Sequence, residues 1–295
     1  MERTLGPRNV GDILKETFAI YGKNFWRLAS IVASVQVPLI IVVVIIVFAV
    51  MMPIFSQLGS ETFFPTLSQL YPLVPAYIVL LLVSLVAGVL LQGAIIHAVS
   101  EQYFQHPINI GRAFRFSWQR MPNMLGAVLL VGVAVAGILL IAIGIPVAIY
   151  FTKIITVDYR QLIIMGIALV AIVYPAVVYL SVMWAFAIYT ALLEGCGPTS
   201  ALSRSMALVK GSWWRVLGIT ILLTLIVFAI NFVIGFVPIL GALVAAILSP
   251  PITAIGITLL YFDLRVRKEG YNLDALANEL GLASTPTDAA PNPQI

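Results

Sequence analysis

One cysteine, two histidines and twelve carboxylates in 295 residues leave little with which to do chemistry. The lone Cys196 excludes an intramolecular disulfide framework and any multi-thiolate metal site. With only two histidines besides, neither a metal centre nor a cofactor is expected. There is no HExxH pattern, no glycine-rich phosphate loop and no pair of intramembrane aspartates. Charge itself is scarce. Asp, Glu, Lys and Arg make up 9% of the chain, where soluble domains carry about a quarter. The longest hydrophilic stretch is the tail after Asp263, too short for a domain of about 50 residues or more. The run of apolar residues starting at Leu28 is too long for a signal-peptide h-region and has no small-residue cleavage site after it, so no cleaved leader is expected.

What fills the chain is hydrocarbon, at 61% hydrophobic residues. Uncharged runs cover residues 28 to 60, 62 to 100, 121 to 152, 161 to 193 and 216 to 262. A crossing takes about 20 residues, so the last run reads as a hairpin turning at Gly235, Pro238 and Gly241, and the first is trimmed at Pro53. Six spans result, over 28–52, 74–98, 123–150, 162–190, 216–235 and 241–263. Lipid offers the backbone no hydrogen bonds, so spans are helices or closed barrels. The runs do not alternate apolar with polar, which selects helices. The fold class is therefore all-α, a polytopic membrane protein with six transmembrane helices.

Orientation follows from the basic residues, which resist translocation. Of sixteen Lys and Arg, all but Lys153 and Arg160 fall on one side of this arrangement. Both termini are thus expected in the cytoplasm. The positive balance does not point to nucleic acid, because the basic residues are spread beside apolar runs.

Three segments on the basic side share an amphipathic stripe. The first shows Ile13, Leu14, Thr17, Phe18, Tyr21 and Phe25, with Lys15 and Lys23 opposite and Arg27 following. The third shows Ala201, Leu202, Ser205, Met206, Val209 and Trp213, at an offset of 188 that also carries Trp26-Arg27 onto Trp214-Arg215 and gives five identities over residues 12 to 31. The second, Asn109 to Pro122, shows Ile110, Ala113, Phe114, Ser117, Trp118 and Met121, with Arg112 and Arg115 opposite, and its Asn109-Ile110-Gly111 echoes Asn9-Val10-Gly11. The chain reads as three parallel repeats, about 9–100, 107–192 and 198–266, each an interfacial helix followed by a two-span hairpin. One reading lays these helices in the headgroup plane, with Lys15, Lys23, Arg27, Arg112, Arg115, Arg204, Lys210 and Arg215 toward anionic lipid. The plainer reading packs their apolar faces on the bundle. Residues 1–268 form the membrane domain, and 269–295 a tail with a short helix at Leu273–Leu280, then disorder.

The span interiors hold no charge, only neutral polar groups: Gln36, Ser84, Gln92, Thr220, Thr224, Asn231, Ser249, Thr253 and Thr258. Most are expected to bond between helices. Ser249-Pro250-Pro251 interrupts the sixth span, and broken helices line substrate sites in transporters. A transport or lipid path past Gln36, Asn231, Ser249, Pro250 and Pro251 is therefore the alternative to a plain kink. His97 and Glu101 stand four residues apart, as a base with an orienting carboxylate or as an interfacial polar pair. No serine or cysteine nucleophile completes a set, so no enzyme is expected. Trp26, Trp118, Trp213, Trp214, Tyr71 and Tyr77 fall at the expected interfaces.

The exit segment Tyr261-Phe262-Asp263-Leu264-Arg265-Val266-Arg267-Lys268-Glu269-Gly270, with the start Gly11-Asp12-Ile13-Leu14 leading to Phe25-Trp26-Arg27, resembles the membrane domain fused to some bacterial glycerophosphoryl diester phosphodiesterases and shared by many stand-alone multi-pass proteins. The likeness covers roughly residues 9 to 275. In the fused proteins hydrolysis belongs to a separate barrel, which needs about 250 residues and has no counterpart here. The resemblance therefore implies no catalytic residue. The expected protein is a non-catalytic scaffold or accessory factor whose partners are the lipid bilayer and other envelope membrane proteins.

Overall fold

A computed structural model describes residues 6–55, 71, 73–104, 107–152, 158–237 and 240–282. Every regular element among them is helical: α1 (Val10–Lys23), α2 (Phe25–Phe55), α3 (Leu73–Glu101) with a 3-10 turn over Gln102–Phe104, α4 (Ile110–Thr152), α5 (Tyr159–Met183), α6 (Ala187–Leu193), α7 (Pro198–Val209), α8 (Trp213–Ile234), α9 (Leu240–Glu269) and α10 (Leu273–Glu279). Six helical stretches, in α2, α3, α4, α5–α6, α8 and α9, are long and apolar enough to cross a membrane. The chain has an all-α, multi-pass membrane fold. The sequence-derived spans coincide with these stretches, except that Gly235 lies just past the end of α8 and the fourth span is divided between α5 and α6; Pro238, Lys153, the loop before Pro72 and the tail after Leu282 lie outside the described residues.

Local chemistry explains the short helices. Asn9 and Asn109 both sit where an N-cap is required. Asn9 forms a capping box with Asp12, and the Asn109 side chain accepts from the Arg112 N–H at 3.0 Å. Between α1 and α2 a single residue, Asn24, leaves the helical conformation. Its amide donates to the Ile20 carbonyl and to Gln102 Oε1, both at 3.1 Å, which pins the bend to the end of α3. Pro198 opens α7 in the first-turn position where a missing N–H costs nothing.

The proline-based expectations need correction. The helix α9 runs without interruption through Pro250 and Pro251, so the sixth span is not broken. Likewise α4 continues through Pro122 over 43 residues, about 65 Å at 1.5 Å per residue. The second amphipathic segment is thus the first turns of the third span, not a separate helix. The fourth span does break, at Trp184–Phe186, where no proline marks it; the chain resumes as α6.

Burial divides the bundle along its length. The buried side chains of the spans lie at one end: Leu28, Ile31 and Val32 of α2, the stretch from Val89 onward in α3, Met124 and Ala127 of α4, Phe186 to Leu193, Val216 to Leu223 in α8, and Ile252 to Leu264 in α9. This is the basic end. In the opposite half, over residues 37–52, 74–83, 129–147, 163–179, 225–237 and 240–244, large apolar side chains stay exposed, as lipid-facing residues do. Lipid tails are as apolar as leucine, so helices there gain little by touching. At the basic end small residues allow close approach. A Cβ on Gly126 would lie 2.5 Å from the Pro198 ring, and one on Gly256 would lie 2.5 Å from Leu223. By contrast Gly132, Gly137, Gly144 and Gly166, in the other half, face open space. The helix α9 is the hub, touching α1, α2, α3 and α8.

The three stripes meet that core at matching positions. Ile13, Ala113 and Ala201 are fully buried, and so are Thr17, Ser117 and Ser205. Thr17 donates to Ile13 O at 2.7 Å, Ser117 to Leu90 O at 3.0 Å and Ser205 to Met183 O at 2.8 Å. The stripe centres therefore pack on protein, not lipid.

Candidate functional site

The basic end is built around three carboxylates, each near the end of an even-numbered span and each clamped by arginine. Glu101 closes α3 and is fully buried; Arg112 Nη1 approaches its Oε1 at 3.1 Å. Glu194 follows α6, and Arg204 Nε meets its Oε2 at 2.7 Å while Arg204 Nη2 reaches Glu269 at 2.6 Å. Asp263, on α9, is held by Arg215 at 2.8 Å and by Arg267 Nε at 2.9 Å, and it accepts from the Arg8 N–H at 2.7 Å. Arg215 and Arg267 also donate to the Arg8 carbonyl. The segment before α1 and the exit of α9 are thereby fastened together, at one end of the bundle. A carboxylate that would be costly alone in this setting becomes acceptable once paired and hydrogen-bonded.

Around Glu194 the ion pairs extend into a network that captures the tail. Tyr261 donates to Glu194 at 2.7 Å. Arg265 binds Glu279 at 2.7 Å and stacks 3.7 Å above the Tyr271 ring, and Tyr271 donates to Glu279 at 2.6 Å. With Leu276 and Leu280 buried as well, α10 is docked on the core. Gly270, at φ +66°, makes the turn that sends it there. Burial opposes the charge on Arg204, but its hydrogen bonds to Glu269 and Glu194 outweigh that and hold the guanidinium above its ordinary value. Burial pushes the Tyr271 phenol up, and Glu279 adds to the shift.

His97 is buried, with its ring 4.4 Å from that of Phe116 and its Nδ1 4.0 Å from Glu101 Oε2. His97 and Glu101 thus lie side by side on α3 at a separation longer than a hydrogen bond, and the ion pair of that carboxylate is with Arg112. Asp263 and Arg267 pair across one turn.

The eight cations assigned to headgroups separate into two sets. Arg112, Arg204 and Arg215 are occupied by Glu101, Glu194 with Glu269, and Asp263 respectively, which gives them a structural task. Lys15, Lys23, Arg27, Arg115 and Lys210 are exposed, with no carboxylate partner among the described residues. Near them in sequence stand Trp26, Trp118 and Trp214, each more than 60% exposed. Sequence reasoning could not separate the sets, because the carboxylates concerned lie 10 to 65 residues away from their arginines, beyond any helical spacing.

The path residues also separate. Ser249 donates to Asn231 Oδ1, so each amide or hydroxyl has found the other, and α8 is stapled to α9. Gln36 is half-buried on α2. Of the five, Pro250 lines a cavity. That cavity, of about 350 Å3, lies among α3, the α5–α6 bend, α8 and α9, and its polar lining is Gln92, Tyr189, Thr220 and Thr253. Gln92, Thr220 and Thr253 were legible as polar residues in the spans. Tyr189 was not, since an aromatic near a span end reads as a belt residue. A second, apolar cavity of about 460 Å3 separates α4 from α5 around Pro146 and Gly166. Among the described residues no group of three or more His, Cys, Asp or Glu could hold a metal ion. Compared with known proteins, the chain matches no family model, no curated protein and no solved structure.

Proposed function

We propose that this protein is a non-catalytic accessory or scaffold factor of a bacterial cytoplasmic membrane, one that gathers anionic phospholipid headgroups at its basic end, with both termini in the cytoplasm. The observation that carries the reading is the set of five exposed cations without carboxylate partners among the described residues, Lys15, Lys23, Arg27, Arg115 and Lys210, of which the last four stand within four residues of an exposed tryptophan in the sequence. Tryptophan prefers the headgroup level, and each basic residue close to an anionic surface contributes about 1 kcal/mol of attraction. The side assignment rests on the distribution of basic residues among the loops. The resemblance to the membrane part of glycerophosphoryl diester phosphodiesterases agrees with an accessory role, because in the fused proteins hydrolysis is left to another domain.

The experiment is native mass spectrometry of protein extracted gently from membranes containing phosphatidylglycerol. Replacing all five cations by glutamine should cut retained anionic lipid severalfold and leave phosphatidylethanolamine unchanged. Equal retention of phosphatidylglycerol by the variant would defeat the reading. So would a lipid hydrolysis carried by the purified protein and abolished by His97→Ala.

A further inference from the structure

The cavity among α3, the α5–α6 bend, α8 and α9 lies where the packed half of the bundle gives way to the lipid-exposed half. Gln92 stands nine residues before Glu101, about 13 Å below the basic end. Gln92, Tyr189, Thr220 and Thr253 reach the wall among aliphatic side chains, and no charged residue does. Tyr189 shares side-chain hydrogen bonds with Gln92 and Thr258. Thr220 differs from its neighbours. Thr17, Thr224 and Thr258 each return the hydroxyl to the carbonyl four residues back, the bond open to any helical threonine. The Thr220 Oγ1 is buried and makes no hydrogen bond. In the same wall Pro250 has no N–H to offer, so the carbonyl of Ala246 lacks its helical donor.

We infer that this cavity binds a neutral, hydroxyl-bearing lipid of the acylglycerol class, with its glycerol end against Gln92 and Thr220 and its acyl chains leaving between helices into the exposed half. Three chemistries compete for the space. A phosphate-bearing head would meet no cation at this depth, and an uncompensated charge there is costly. A plain hydrocarbon would leave the Thr220 hydroxyl unmatched. A neutral polyol both donates and accepts, which is what an amide and hydroxyls answer. The volume equals roughly a dozen waters at about 30 Å3 each, room for a glycerol unit and its first methylenes.

The test uses the full chain in nanodiscs with dioleoylglycerol carrying a diazirine close to the glycerol end. Saturable labelling of peptides covering residues 88–95 and 250–257, displaced by unlabelled dioleoylglycerol and not by dioleoylphosphatidylglycerol, is the expected result. Thr220→Val should weaken binding roughly tenfold, as for one lost hydrogen bond. Since that hydroxyl has no partner in the protein, the melting temperature of the variant should hold or rise. Ala254→Phe should abolish labelling by filling the space. Non-saturating label spread over residues 129–147 and 163–174, equal displacement by dioleoylphosphatidylglycerol, or an unchanged affinity in Thr220→Val would each overturn the inference; the last would mean the cavity holds water or bulk acyl chains. The five-cation variant should keep this labelling, so failure of the headgroup reading leaves this one separately testable.

Discussion

Cys196 stands between Gly195 and Gly197, just after Glu194. Burial raises its thiol above the ordinary value, and the negative charge of Glu194 adds to that. Since the thiolate is the nucleophile, alkylation by iodoacetamide should be slow at pH 8 and gain its rate only above the usual thiol range of about 8.5. Glu194→Gln should move the midpoint down. A rate–pH midpoint at or below 8.5 in the native chain would contradict this environment. Gly126 makes a second residue-scale case. The Pro198 ring cannot rotate away, so Gly126→Ala must shift the start of α7, at a cost of about 1–3 kcal/mol for overpacking. The reference is Gly132→Ala one helical face further on, where open space is available and no loss of melting temperature is expected. The sequence shows both glycines in the third span. What lies opposite each of them is a fact of packing, and no local pattern announces it.

At the scale of the element, α7 illustrates how a charge that looks solvated becomes structural. Its Arg204 binds Glu194 and Glu269 at once, joining the fourth and sixth spans. Arg204→Ala leaves two partly buried carboxylates short of a partner and should cost about 2–3 kcal/mol, less than the roughly 3–5 kcal/mol of a fully buried pair because water screens this one in part. Lysine should not restore the loss, because a point charge cannot reproduce the two-pronged geometry. Thermal unfolding in detergent measures both. Wild-type stability in Arg204→Lys would assign the site to charge alone. The stripes themselves were legible, since Ile13, Thr17, Ala201 and Ser205 follow helical period. Their destination was open to two readings, for packing and lipid contact demand the same face. The structure packs the stripe centres and leaves Phe18, Trp26, Trp118 and Trp214 exposed. Continuity was legible least. The second amphipathic segment was bounded at Pro122 and the sixth span read as broken at Pro250, yet both helices continue, because spans hold prolines by letting neighbours and local adjustment satisfy the freed carbonyls.

For the whole molecule the consequence is a bundle tight at one end. Native-state hydrogen exchange should follow it, with slow amides at residues 94–99 and 255–264 and faster exchange, in detergent, toward the far ends of α4 and α5, where partners are few. Uniform protection along α4 would contradict the division. The ends of the chain give a second check. Arg8 and Arg267 are hydrogen-bonded, so single cysteines at Gly11 and Asp274 should react with an impermeant maleimide from the same side of sealed vesicles, whichever side that is.

The sequence by itself determined the number of spans, their approximate positions and the separation of charge between the two ends. Each is a one-dimensional property, because hydrocarbon length sets how much apolar chain crosses and basic residues avoid crossing. Tertiary structure alone decided which arginines are consumed by Glu101, Glu194 and Asp263, which half of the spans packs, and where four neutral polar side chains come to line one cavity. Those outcomes depend on groups far apart in sequence meeting at a few ångströms. In a chain whose spans are all about equally apolar, nothing local ranks one such meeting above another.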